Sequence, residues 1–448
     1  MPIFLQIKKG VNLQLVGGID NDTSAYSAKV ARVAMTPSDF PGLTPKAEVK
    51  PGDTVTAGQP LWHAKEDESV KVVAPVSGTV TAVERGEKRR LVRIVIEAGS
   101  KQEVAATQQQ TNIKDTIKAA GLWAMMRQLP FDIVPVDTHT PANIFVSAWD
   151  SAPLACGYET YLNRPGNIED LQAGIDALCQ LTSGQVFVGF KAGTEIPTLK
   201  NTQTVEIKGH YPASLPSVLA ANTAPVNKGQ TVWLMGAETV VRIGQAVAGK
   251  PVDWTFPVAV GGSRVVKPAL IDAPAGVLTA DLIAAAGGLT QDHNRIISGN
   301  VFTGHKVEAD EYLRFPYRQL TVIPEGDDKT EFMGWASLSV SKLSSSRSFP
   351  SFFFRKRKFN PDARLNGGRR SIIMSGEYDR YIPMDIMAEY LLKAINARDI
   401  ERMEQLGIYE VTPADFSAAE YADTSKLPLQ QIVRDGLDYM LKEVGTAD

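Results

Sequence analysis

The residues that most often carry redox or metal chemistry are scarce in this chain. Its two cysteines, Cys156 and Cys179, are too few for an iron–sulfur cluster held by four thiolates, and they form no Cys-x-x-Cys pair. The five histidines are scattered, and none forms a His-x-x-x-His pair, so an ordinary polar role is favoured over metal binding for each. The sequence therefore predicts no metal site and assigns no catalytic residue.

The glycine-rich motifs that hold nucleotide phosphates are also missing. A dinucleotide site needs Gly-x-Gly-x-x-Gly between a strand and a helix, so that backbone amides can approach the pyrophosphate. Neither this motif nor Gly-x-x-x-x-Gly-Lys-Ser/Thr occurs. We therefore assign no cofactor-binding residue.

A basic and aromatic stretch is the strongest candidate for a contact surface. Residues 342–375 contain nine lysines and arginines and five phenylalanines, opposed by Asp362 alone. Three interpretations are open: a solvated loop with some buried phenylalanines, a surface that faces anionic lipid or a membrane protein of the same complex, and a nucleic-acid site. The second predicts that the membrane or partner contact includes Arg347, Arg355, Lys356, Arg357 and Lys358.

The composition is that of an ordinary globular protein. The chain has 448 residues, 44% of them hydrophobic and 22% charged, and its net charge of −3 leaves no overall nucleic-acid footprint. At ~150 residues per domain, we expect about three domains. No apolar run approaches the ~20 residues of a membrane span. The lysines at positions 8 and 9 follow the first apolar residues, the reverse of a secretory signal, so we expect a reducing, cytoplasmic location.

The elements that position these residues begin with an all-β module, predicted over 1–104. Between 47 and 83, apolar and polar residues alternate and Gly-Asp, Ala-Gly and Ser-Gly pairs mark turns. This pattern resembles the barrel-sandwich "hammerhead" of lipoyl and biotinyl carriers. In those domains a modified lysine occupies a hairpin tip. Here that position falls on Glu68, and Lys65 comes too early, so we expect an unmodified docking module.

A polar, glutamine-rich linker at 99–111 leads to an α/β domain predicted over 112–256. Strands are predicted at 143–149, 185–190 and 231–235. Helices are predicted at 168–183, capped by Asn167, and at 237–248. Alternating strands and helices indicate a largely parallel sheet.

The third predicted module, 257–330, has strands at 263–271 and 295–301 around a short helix that Thr279 caps and Gly287 ends. It resembles the SLBB family of β-grasp domains. The region 331–448 joins the basic stretch to a helical tail, in which Pro413 and Pro428 each start a helix.

This order of modules resembles the NqrA family, the A subunits of the bacterial sodium-translocating NADH:quinone oxidoreductases, over nearly the whole chain. The motifs that carry the resemblance are short and ordered: 7–13, 74–78, 121–123 with Arg127 and 130–131, 211–213, 332–335, 347–349 and 376–385. The architecture is also similar to the C subunit of the Rnf complex and to the NADH-binding subunit of respiratory complex I. Those relatives bind flavin near the place of residues 121–131, where this chain has bulky side chains. They also carry C-terminal cysteine clusters, and this chain has no cysteine after Cys179.

The resemblance implies a peripheral subunit on the cytoplasmic side of the bacterial inner membrane, without a redox cofactor of its own. The resemblance also implies that such a subunit belongs to a six-subunit complex that oxidises NADH, reduces ubiquinone and pumps Na⁺ out of the cell. FAD, a [2Fe–2S] centre, FMN and riboflavin are expected on the other five subunits. The membrane-embedded B subunit is the expected neighbour, and ubiquinone is a candidate ligand.

Two other functions stay open. The first is a lipoyl- or biotin-type carrier or docking subunit of a soluble multienzyme complex. The second is an independent flavin-dependent NADH dehydrogenase.

Overall fold

The computed structural model describes residues 2–19, 26–107, 109–328, 338–344, 349–354 and 356–445. Its strands, in chain order, are β1 (Ile3–Gln6), β2 (Tyr26–Ser27), β3 (Arg32–Met35), β4 (Pro45–Ala47), β5 (Thr54–Val55), β6 (Pro60–Ala64), β7 (Lys71–Val73), β8 (Gly78–Arg85), β9 (Leu91–Ala98), β10 (Arg127–Leu129), β11 (Asn143–Ser147), β12 (Val186–Lys191), β13 (Gln203–Lys208), β14 (Val232–Gly236), β15 (Thr255–Gly261), β16 (Ala269–Pro274), β17 (Asn294–Ser298), β18 (His305–Val307) and β19 (Gln319–Pro324). Its helices are α1 (Ile113–Ala119), α2 (Glu159–Leu162), α3 (Asn167–Leu178), α4 (Pro216–Thr223), α5 (Ala237–Val247), α6 (Thr279–Ala285), α7 (Ala388–Ala397), α8 (Ile400–Gln405), α9 (Ser417–Ala422) and α10 (Leu429–Glu443).

A mostly parallel sheet forms the centre of the α/β module, in the order β1-β13-β12-β11-β14-β10. Only β10 runs antiparallel to its neighbour in this sheet. The chain leaves β11 for β12 and β13 on one side and later returns to β14 on the other side. The winding of the sheet therefore reverses between β11 and β14. Alternate residues of β11 enter two cores, one with α3 and α5 and one with α4, which confirms the predicted α/β fold.

Helix α3 confirms the predicted amphipathic helix, with Leu171, Ile175 and Leu178 fully buried. The predicted cap was wrong: Gly166 is the N-cap, and Asn167 is the first helical residue. The side-chain amide of Asn167 instead donates 2.8 Å to the carbonyl of Tyr161. This bond satisfies the buried side-chain amide, and α3 has no side-chain cap.

Two small sheets build the all-β module, β3-β9-β8-β5 and β4-β6-β7. Their shared core includes Phe40, Leu61 and Trp62, and the Phe40 and Trp62 rings meet edge to face at 5.5 Å. This arrangement confirms the predicted barrel-sandwich fold.

The first two strands lie outside the module that was predicted to span 1–104. β1 pairs with β13 at the edge of the parallel sheet, and β2 pairs with β16 in the third module. Both sheets would otherwise present an unpaired edge there, and covering an edge satisfies its backbone groups. The beginning of the chain therefore joins the three modules.

The β-grasp module has one sheet in the order β18-β17-β19-β15-β16-β2, packed against α6. The strand predicted at 263–271 is displaced: β15 ends at Gly261 and β16 begins at Ala269. Gly262 makes the intervening turn with a φ of +112°. Thr279 is not the N-cap of α6, because its hydroxyl lies 2.9 Å from the carbonyl oxygens of Glu308 and Ala309 and fixes that segment instead.

The C-terminal region is helical, as predicted. Pro413 starts a 3₁₀ turn that continues into α9, and Pro428 immediately precedes α10. The buried core of this region contains Leu391, Val433 and Leu437.

Candidate functional site

The loop at 121–131 is filled by its own side chains. Leu122, Trp123 and Met126 are fully buried, and the Trp123 ring meets Trp233 edge to face at 5.1 Å. The backbone amide of Leu122 donates to the carbonyl of Ile117, and that of Met126 donates to the carbonyl of Trp123. Since a phosphate needs free amides and open space, this loop is a poor phosphate cradle.

The hairpin tip between β6 and β7 is held against the α/β module. Glu68, which the sequence places at the position of the carrier lysine, has 74% of its side chain exposed and lies 3.3 Å from Lys46. The neighbouring Asp67 accepts a 2.7 Å hydrogen bond from Lys118, which α1 presents and which also pairs with Asp137. Burial lowers the pKa of Lys118, but the two carboxylates more than offset that effect and raise it. The tip therefore does not have the geometry of a swinging arm.

The predicted contact residues fall only partly within the described chain. Arg347 and Arg355 lie outside the described residues. Lys356, Arg357 and Lys358 are exposed. They follow two exposed rings, Phe353 at 83% and Phe354 at 52%, whereas Phe359 is buried. The segment therefore presents rings and cations together.

A cleft of about 510 Å³ lies where the β-grasp module, the C-terminal helices and residues 361–369 meet. We call it the junction cleft. Its apolar and aromatic lining includes Leu13, Ile297, Val301, Phe302 and Tyr421, and its charged lining includes Arg364, Arg369 and Lys426. The cleft could not be predicted from the sequence because its walls come from six separate stretches of the chain, between positions 13 and 430.

Aromatic stacking fixes one wall of the junction cleft. Phe302 stacks on Tyr211 of the α/β module with 4.5 Å between ring centroids, and it meets Tyr421 edge to face at 5.7 Å. The Tyr211 hydroxyl lies 2.7 Å from the hydroxyl of Ser417. Three modules therefore share this wall.

Beside this wall, a buried carboxylate joins the C-terminal region to α4. Asp415 is fully buried and accepts 2.6 Å from the hydroxyl of Ser217. It also accepts the backbone amide and hydroxyl of Thr412. Burial raises the pKa of Asp415 to about 6, and these hydrogen bonds offset only part of that rise.

Among the described residues, one group has the spacing of a metal site: His293, Asp327 and Asp328. All three are exposed, and the hydrogen bond from His293 to Asp327 raises the pKa of the imidazole. Exposed groups of this kind are common without an ion, so we assign no metal here. None of the helices in the described ranges is long and apolar enough to span a membrane.

Three family descriptions match successive parts of the chain. The NqrA N-terminal barrel-sandwich hybrid domain matches residues 5–99, the NqrA second alpha/beta domain matches 108–249, and the NQRA C-terminal domain, of the SLBB type, matches 257–309. They follow the three modules in order.

Curated relatives extend the similarity to the whole chain. The chain is 32% identical to the A subunit of the Na(+)-translocating NADH-quinone reductase of Marinomonas sp. (strain MWYL1), over 98% of this chain and 99% of the relative. It is 32% identical to the protein of the same name from Shewanella frigidimarina and 31% identical to that from Pasteurella multocida, over 98% of this chain and 100% of each relative. The resemblance carried by the short motifs is thereby confirmed, and the chain belongs to the NqrA family, the A subunits of the Na(+)-translocating NADH-quinone reductases.

Proposed function

We propose that this chain is the A subunit of a Na⁺-translocating NADH:ubiquinone reductase. It binds on the cytoplasmic side of the inner membrane to the other five subunits, with the membrane-embedded B subunit as its main neighbour. The observation that carries the proposal is the similarity to proteins of that name over 98% of the chain. The complex oxidises NADH, reduces ubiquinone and exports Na⁺.

We further propose that this chain holds no redox cofactor. Buried Trp123 and Met126 fill the loop in which related folds place a flavin, and the amides of Leu122 and Met126 already donate within the chain. FAD, the [2Fe–2S] centre, FMN and riboflavin belong to the partner subunits in this proposal. The present chain contributes assembly and quinone contact.

The basic and aromatic segment is our candidate for the partner contact. Exposed phenylalanine rings lie next to Lys356, Arg357 and Lys358, and Arg347 and Arg355 belong to the same candidate surface by sequence. Rings can enter an apolar surface, and each cation near anionic headgroups contributes about 1 kcal/mol.

The junction cleft is our candidate for quinone contact. A quinone site needs mostly apolar and aromatic walls with a few polar groups. Phe302, Tyr421 and Ile297 supply apolar and aromatic walls. The polar groups of the lining include the charged side chains of Arg364, Arg369 and Lys426.

The test is recovery of the tagged chain from its native membranes in a gentle detergent. We expect co-purification of flavin-bearing membrane subunits and NADH-driven ubiquinone reduction by the eluate. After separation, the chain itself is expected to be colourless. A chain recovered alone, or one that carries its own flavin or a lipoyl group, contradicts the proposal.

A further inference from the structure

The reversal of winding between β11 and β14 marks a specific place in the α/β module. In doubly wound sheets, ligands bind in the crevice outside the carboxyl ends of the two strands at which the winding reverses. Those ends are Ser147 and Gly236 here. We call the space beyond them the switch crevice.

A carboxylate of the chain itself lies beside the amino end of α5, in the switch crevice. The amino end of α5 points toward this crevice, and the end of a helix with free amides attracts anions. Glu238 lies in the first turn of α5, and its carboxylate folds back over Gly236: a Cβ added at Gly236 would lie 2.2 Å from the Glu238 carboxylate. An external phosphate would therefore meet a buried negative charge.

Two further groups make the switch crevice suitable for a cation. The hydroxyl of Tyr158 donates 2.5 Å to the carboxylate of Glu238, and both residues are buried. Burial raises the pKa of Tyr158 well above its ordinary value, so the hydroxyl keeps its proton. Asp150, three residues beyond β11, adds a second carboxylate.

The β-grasp module supplies the cation. Arg318, which directly precedes β19, places its guanidinium 3.9 Å from the centroid of the Tyr158 ring and 5.0 Å from that of Phe256. Its nitrogens lie 3.5 Å from a carboxylate oxygen of Asp150 and 3.9 Å from one of Glu238. A planar cation between aromatic faces and carboxylates is the arrangement that suits guanidinium better than ammonium.

We propose that the switch crevice is a guanidinium-binding site, and that Arg318 of the β-grasp module is its resident ligand. The side-chain amide of the next residue, Gln319, donates 2.9 Å to the carbonyl of Pro153 and holds the same segment in place. The inference does not depend on the proposed function of the chain.

The test is chemical rescue of the full-length Arg318→Ala variant. Loss of the guanidinium is expected to lower the thermal midpoint by about 2 °C or more. Ethylguanidinium at millimolar concentration should raise that midpoint in a saturable manner, whereas ethylammonium at equal ionic strength should not. The double variant Arg318→Ala/Glu238→Gln should lose the rescue.

Arg295→Ala is the matched control, because Arg295 is a partly exposed β-grasp arginine that pairs with Glu325. Ethylguanidinium should not stabilise it. Equal effects of the two cations on Arg318→Ala, or equal rescue of the control, overturn the proposal. If Arg318→Ala does not fold, the thermal midpoint of Arg318→Lys is measured instead. A midpoint below that of wild type supports a guanidinium site, and a midpoint equal to that of wild type contradicts it.

Discussion

At the scale of single residues, buried polar side chains join the modules. Lys118 holds the hairpin tip through Asp67, and Tyr211 reaches Ser417 across the junction. Asp415 differs from Asp67 because, among the described residues, its carboxylate accepts hydrogen bonds from hydroxyl and amide donors rather than from a cation. A buried carboxylate without a cation costs free energy when it ionises.

Replacement of Asp415 by Asn should change how stability depends on pH. The folded-state pKa is raised to about 6, above the unfolded value of about 3.9. The stability that this group contributes is therefore fully present below about pH 4 and is lost as pH rises through about 6. Asp415→Asn keeps the shape without the charge. We expect the free energy of unfolding of Asp415→Asn, measured with urea, to rise relative to that of wild type by on the order of 3 kcal/mol between pH 4 and pH 7.

The control for this measurement is Asp435→Asn, which neutralises an exposed carboxylate on α10. Its stability should follow that of wild type across the same pH range. If the difference in free energy of unfolding between Asp415→Asn and wild type stays constant across this pH range, Asp415 ionises as an exposed carboxylate does.

Residue types led to the prediction that this chain holds no redox cofactor. The scarcity of cysteine and the bulky residues at 121–131 argued against a cofactor on this chain. Pairs such as Ser217 with Asp415 and Tyr158 with Glu238 could not be predicted, since they join residues 80 to 198 positions apart.

At the scale of elements, α3 and α5 pack with unusually close backbones. A Cβ added at Gly174 would lie 2.1 Å from the carbonyl oxygen of Val240, and one added at Gly244 would lie 1.8 Å from that of Asp170. The two glycines therefore set the distance between α3 and α5, the two helices that pack on one face of the parallel sheet.

Gly174→Ala should separate the two helices. The methyl group meets backbone rather than a flexible side chain, so relief needs movement of a whole helix, and we expect a loss of about 1–3 kcal/mol. The measurement is the urea midpoint followed by circular dichroism. Gly368→Ala, with nothing within 4 Å of the added Cβ, should change stability by less than about 0.5 kcal/mol. Equal losses in both variants would contradict close helix packing.

Filling the junction cleft should impair quinone use. Val301→Trp adds a bulky ring to the lining, and we expect the KM for ubiquinone of the assembled complex to rise about tenfold or more. NADH oxidation with ferricyanide should not change, because that reaction needs no quinone. The control Val92→Trp changes an exposed position of another cleft. It should leave the KM for ubiquinone and NADH oxidation with ferricyanide unchanged. An unaltered quinone KM in Val301→Trp would exclude this cleft.

Periodicity predicted the elements well where a strand or helix lies in a continuous core. The strands after 143, 185 and 231 and the helix after 237 each bury a regular set of apolar residues, and all were confirmed. β1 and β2 pair with sheets formed much later in the chain. These strands pair where a sheet edge is open, so the sequence around β1 and β2 carries no pattern from which the pairing could be predicted.

At the scale of the whole molecule, side chains of the chain itself occupy the places where a carrier group, a flavin or a phosphate would be sought. The hairpin tip is tied to α1, the loop at 121–131 is packed, and Arg318 fills the switch crevice. What the chain presents outward is a basic and aromatic segment. This combination fits a protein that assembles with redox-active partners.

Charge reversal in that segment should weaken attachment to the complex. Replacing Lys356, Arg357 and Lys358 by Glu changes the surface charge by six units next to the exposed phenylalanines, and we expect at least a tenfold loss of co-purification at physiological salt. The matched control reverses Lys88, Arg89 and Arg90, which are exposed on the all-β module. Equal retention of both triple variants would place the contact elsewhere.

The most direct measurement of the central claim is reconstitution of membranes from a strain that lacks this chain. Na⁺-stimulated reduction of ubiquinone by NADH should be lost in these membranes and should return when the purified, colourless chain is added. Full activity in membranes without the chain, or reduction of quinone by the purified chain with NADH alone, would contradict a cofactor-free subunit of the sodium pump.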